Sequence, residues 1–142
     1  MGVFDCGVFR SLRPSGPIDR PEELIGQALE GLVFQHLQAW IDYAGFDARI
    51  FFWRTHGGIE VDFIVYGSSF FWAIEVKNTS IIRKADLRPL KEFVSDHPEA
   101  TPLFLYRGKE TMKQEGILCL PVERFLMNLN PLEQPSVEKF IS

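Results

Sequence analysis

The sequence predicts a mixed-sheet α/β domain, and three observations carry that reading. A stretch from Pro21 to Ala44 repeats its apolar residues at helical steps. Three β-patterned runs follow across short turn signals, so they form an antiparallel meander. A second helical stretch then precedes a fourth, strongly apolar run, which makes a crossover and hence a parallel pair. The predicted order is helix, strand, strand, strand, helix, strand, with helices on both faces of the sheet.

Residues 1–12 (MGVFDCGVFRSL) are half apolar and suit a strand or a short helix, whereas RPSGPIDRP at 13–21 is a linker or ordered loop with three prolines. Residues 1–20 are therefore expected to pack on the core or on a domain outside this chain, leaving 21–130 as the domain proper. In the first helix Ile25, Leu29, Leu32, Val33, Leu37, Trp40 and Ile41 recur at three- and four-residue steps. Pro21 suits its first turn and Gly45 its stop. Gln27, Gln35, Gln38 and Asp42 mark its polar side, and His36 falls on the apolar side, as a core histidine would. Strands are expected at 49–55, 59–66 and 70–77, separated by His56-Gly57-Gly58 and Gly67-Ser68-Ser69. Asp86 suits the N-cap of a helix carrying Leu87, Leu90, Phe93 and Val94 and ending before Pro98. A buried strand follows at 102–106, then a polar loop, a short strand at 117–120 and a helix at 122–129. The tail, 131–142, is weakly patterned and is expected to fray.

Composition narrows the function classes. With 142 residues, 46% of them hydrophobic and 13% aromatic, the chain is large enough for one core. A net charge of −4 argues against coating nucleic acid over the whole surface, although a local basic patch stays compatible with it. Cys6 and Cys119 form no CxxC spacing, so neither a disulfide framework nor a zinc site is implied, and a reducing, cytoplasmic location is expected. No apolar run reaches the ~18 residues of a membrane span.

The chemistry lies in the second and third strands. Strict alternation puts Glu60, Asp62, Ile64 and Tyr66 on one face of the second, opposite Ile59, Val61, Phe63 and Val65. In the third, Phe71, Ala73, Glu75 and Lys77 share a face. Charges inside strands that are apolar on both faces are costly unless paired or metal-bound. Asp62 and Glu75, thirteen positions apart across a hairpin, can reach one hard cation, Mg²⁺ or Mn²⁺, with Lys77 placed to stabilise charge on a phosphate or to orient a water. At roughly 100° per residue, Glu30 falls between Leu37 and Ile41 on the apolar sector of the first helix, where it can act as a third acidic ligand. The plainer reading stands beside this one: Glu75 and Lys77 as ion pairs at a sheet end, Glu60 as an ion pair or solvated, and Trp53-Arg54 as packing and pairing.

G-I-E-V-D-F-I-V at 58–65 and A-I-E-V-K at 73–77, behind a helix containing G-Q-A-L-E, resemble the PD-(D/E)XK nuclease superfamily. With F-D-C-G-V-F-R-S-L at 4–12, F-W-R-T at 52–55 and Asp86-Leu87 with Leu90, the chain is more closely similar to the domain of unknown function 4143, which follows an AAA-type ATPase domain in many bacterial and archaeal proteins. The resemblance covers residues 4 to about 125. It implies a restriction-endonuclease-like core, with Asp62 as the acid of the "PD" element, Glu75 and Lys77 as "(D/E)XK", and Glu30 as the first-helix glutamate. Val61 stands where that motif name has proline, and no GxxxxGK[ST] phosphate loop occurs.

Two functions follow. One is a Mg²⁺- or Mn²⁺-dependent nuclease on DNA or RNA, with Asp62, Glu75 and Glu30 at the metal, Lys77 at the phosphate, and Lys84, Arg88 and Lys91 on one helical row as a phosphate track. The plain alternative for that row is a solvated helix face. The other is a catalytically inactive module that binds nucleic acid or protein and regulates an ATPase, with an AAA-type ATPase domain or a second copy of the chain as partner. A Ser/His or Cys/His hydrolase is the weakest reading, because none of His36, His56 and His97 lies near a nucleophile elbow.

Overall fold

The computed structural model describes residues 2–5, 20–45, 47–130 and 140, of which 2–5 as backbone. The rest of 1–20 and of the tail lies outside the described residues. Among the described residues, seven strands form one mixed sheet in the order β1-β2-β3-β4-β5-β7-β6. They are β1 (Gly2–Asp5), β2 (Ala48–Arg54), β3 (Glu60–Gly67), β4 (Phe71–Val76), β5 (Thr101–Tyr106), β6 (Met112–Gln114) and β7 (Ile117–Pro121). β1 to β4 pair antiparallel in succession; β4 and β5, and then β5 and β7, pair parallel. The crossover between β4 and β5 is a 3₁₀ turn (Lys84–Leu87) running into helix α2 (Arg88–Asp96). Helix α1 (Pro21–Ala44) covers one face together with α3 (Val122–Met127), and α2 covers the other.

α1 forms where the spacing predicts. Pro21 opens it, and Gly45, at φ 73°, closes it by donating its N–H to the Ile41 carbonyl. Its buried stripe is Leu29, Val33, Leu37, Trp40 and Ile41, while Ile25 and Leu32 are exposed. The arc that meets the sheet is thus centred nearer Leu37 than Leu29, on the side where Glu30 lies. For the same reason His36 is corrected from a core histidine to an exposed one, whose Nδ1 meets the Leu32 carbonyl. Trp40 stacks on Trp72 at 5.5 Å, tying α1 to β4.

Several other expectations change. β6 replaces part of the expected polar loop; it is a three-residue edge strand joined to β7 by Glu115 and Gly116, both at positive φ. Such a short polar run carries no usable period. Asp86 is not the N-cap of α2, because helical geometry begins earlier at Lys84, and the Asp86 carboxylate reaches back to the Arg83 N–H at 2.8 Å. Phe140, in the tail expected to fray, is buried against Trp72 and Phe125. Among the described residues, no helix is long and apolar enough to cross a membrane.

Candidate functional site

The strict alternation expected of β3 breaks at Asp62. Phe51 pairs with Ile64 and Trp53 with Val61, so Asp62 and Phe63 together face Phe52 alone, which is a bulge in β3. Its effect on packing is direct. Val61 joins Trp53 and Ile64 in the core beneath α2, while Phe63 and Val65 join the core beneath α1. Asp62 is therefore corrected from the Ile64 face, and the bulge turns it toward α1. There its carboxyl lies in hydrogen-bonding contact with Glu30.

On its other side β3 loses its backbone ladder with β4 at the same point. Pairing runs from Tyr66↔Phe71 to Phe63↔Ile74, and the next pair in register is Asp62 with Glu75. Here side chains replace the ladder: the Asp62 N–H donates to Glu75 Oε1 at 3.0 Å, and the Val76 N–H donates to Asp62 Oδ2 at 2.8 Å. Each strand thus presents a carboxylate to the other's backbone. Because a buried N–H left unpaired costs about 1–3 kcal/mol, the two side chains are fixed by the sheet itself.

This arrangement crowds negative charge. Asp62 is raised well above the ordinary aspartate range by desolvation first, then by the Glu75 and Glu30 carboxylates. Glu75 is raised to about 7, again by desolvation first; hydrogen bonds from Asp62 and the nearby Lys77 oppose the rise, and Glu30 adds to it. Glu30, Asp62 and Glu75 thus converge, each only half-buried, and no charged residue among those described is fully buried.

Lys77 follows β4 directly. Its ammonium bonds Asp86 Oδ1 at 2.5 Å and not a carboxylate of the cluster. Lys84, Arg88 and Lys91 are exposed and line one hollow along the outer side of the 3₁₀ turn and α2, with Ala85, Glu92 and Ser95. Acidic residues meet two of the three: Arg88 pairs with Glu92, four residues on along the helix, and Lys91 with Glu115 from the turn between β6 and β7. Glu60 pairs with Arg54 at 2.7 Å. Trp53 is fully buried against Phe93, with its indole N–H lacking a hydrogen-bond partner among the described residues. Cys119 is buried and its thiol is pushed up to about 11, which keeps it protonated and unreactive.

The donor set suits a hard cation, since it is carboxylate oxygen throughout. Among the described residues, no three acidic, histidine or cysteine side chains are spaced to hold an ion as they stand. The fit is thus to a site of two carboxylates, Asp62 and Glu75, a number with which Mg²⁺ is commonly held while it keeps several waters. Asp86 is the residue that the sequence pattern misassigned, because its tie to Lys77 across nine positions has no periodic signature.

The family described as a domain of unknown function (DUF4143) matches residues 25–125. Comparison with curated proteins and with solved structures gives no match.

Proposed function

The chain belongs to the DUF4143 family, and from the site it carries we propose that it is a divalent-cation-dependent phosphodiesterase domain acting on nucleic acid. The observation that carries the reading is the interlock of Asp62 and Glu75 at the broken end of the β3–β4 ladder, with both carboxyls raised by desolvation and Glu30 in contact with Asp62. Acids raised by burial and by one another at one strand end mark a candidate functional site, and a cation offsets both the desolvation and the repulsion that raise them.

Asp62 and Glu75 are the residues that hold Mg²⁺ or Mn²⁺, with Glu30 next to Asp62. The bound ion supplies Lewis acidity to a phosphate oxygen and a lowered pKa to a water. The protein's own part is positional. The Val76 and Asp62 N–H groups orient the two carboxylates, and Lys77, beyond the end of β4, offers its ammonium to the charge that develops on the phosphate. Lys84, Arg88 and Lys91 along the outer side of the turn and α2 supply phosphate contacts. The linked partner is an AAA-type ATPase domain.

Incubating the purified chain with labelled DNA and RNA and Mg²⁺ or Mn²⁺ tests this. Cleavage is expected, and Asp62→Ala abolishes it; equal product from wild type and Asp62→Ala rejects the reading. A specific observation favours the non-catalytic alternative. Tyr43, 81% exposed, lines a hollow between α1 and α3 together with His36, Trp40, Leu126 and Leu129, as a protein-binding surface would be lined. Under that alternative the chain binds a partner and shows no calorimetric heat with Mn²⁺.

A further inference from the structure

We propose that Asp86 is the positioning residue of Lys77, holding its ammonium near Glu75 but keeping it from pairing with that carboxylate, one of the two proposed for the metal ion. The inference deepens the reading above and rests on it for the metal.

The nearest ammonium in sequence to Glu75 belongs to Lys77, two residues on, and it is close enough to draw down the Glu75 carboxyl. A flexible, half-exposed lysine two residues from a crowded carboxylate can pair with it and neutralise it. In this structure its ammonium bonds Asp86 instead.

The anchor in this pair is the aspartate. The Asp86 side chain is 7% exposed against 54% for Lys77, and its second oxygen accepts the Arg83 N–H at 2.8 Å. The segment between them is itself tied to the sheet, because the Lys77 N–H donates to the Leu105 carbonyl and the Arg107 N–H to the Thr79 carbonyl. The sheet thus holds the lysine end of the segment, while the Arg83 N–H fixes the carboxylate at the other, and the flexible lysine side chain is brought to it. Asp86 thus keeps the ammonium from competing with the metal for Glu75 and fixes the cation beside the place where a phosphate binds.

Asp86→Asn tests the idea with little risk to the fold, since the asparagine oxygen still accepts the Arg83 N–H while the charge is lost. Two readouts are needed. In ¹⁵N-labelled protein at low temperature, a Lys77 ammonium resonance, assigned by its loss in Lys77→Met, is expected in wild type and absent in Asp86→Asn. In calorimetry, Asp86→Asn weakens Mn²⁺ binding by about fivefold, because the freed ammonium competes for the carboxylates. In the Lys77→Met background the same substitution has no effect. Persistence of the resonance in Asp86→Asn overturns the proposal, as does an equal loss of Mn²⁺ affinity with Lys77 removed. If wild type binds no Mn²⁺, the metal reading fails by itself, and retention or loss of the resonance still decides whether Asp86 positions Lys77.

Discussion

Glu75 sets the most direct residue-scale consequence of the site. Its folded-state pKa of about 7 lies above the ordinary glutamate value of 4.5, so the folded protein binds more protons than the unfolded chain between the two. Stability associated with this group is therefore present at low pH and lost as pH rises through about 7. Asp62, raised in the same direction, adds to the loss. In the presence of a chelator the melting temperature is expected to fall by several degrees from about pH 6 to about pH 8.5. Glu75→Gln flattens that slope, and a slope unchanged in Glu75→Gln counts against the crowded-carboxylate description. Mn²⁺ at saturating concentration raises the melting temperature most at the alkaline end, where the carboxylates are ionised; Asp62→Ala loses that increment.

At the scale of elements, α1 and the β3 bulge decide how the site is assembled. The sequence assigns Ile25 and Leu37 to one apolar stripe, yet Leu37 is fully buried and Ile25 is half-exposed. Leu37→Ala is expected to cost about 2–5 kcal/mol by opening a cavity, and Ile25→Ala within about 0.5 kcal/mol, in urea denaturation. Similar losses for both would show that α1 sits in a different rotation, and Glu30 with it. The helix itself was legible because Pro21, Gly45 and a long run at period 3.6 agree. Its rotation was not, because Leu29 and Leu37 both belong to the stripe and only contact with the sheet chooses its centre. The bulge was hidden for a related reason: Val61, Phe63, Ile64 and Val65 are all apolar, so no polar residue records which face each one takes.

Across the whole molecule, the sheet is closed by chain that is distant in sequence. Phe140 fills the core beneath α1, against Trp72 at 5.9 Å and Phe125 at 5.0 Å. Phe140→Ala is expected to cost about 3–5 kcal/mol, read as a lower denaturant midpoint with an unchanged slope; a shift below about 1 kcal/mol would mean that the tail contributes little to the core. The sequence by itself determined the mixed α/β class, the meander followed by a parallel crossover, and the meeting of Asp62 with Glu75. Those follow from local periods and from a hairpin whose short turn fixes its register. Only the tertiary structure decided that Asp62 turns toward Glu30, that Lys77 is bound by Asp86, and that Glu115 answers Lys91 of the basic row. The reason is physical: each depends on a bulge, a side-chain rotamer or a neighbour from a distant turn, and none of these leaves a repeat in the sequence.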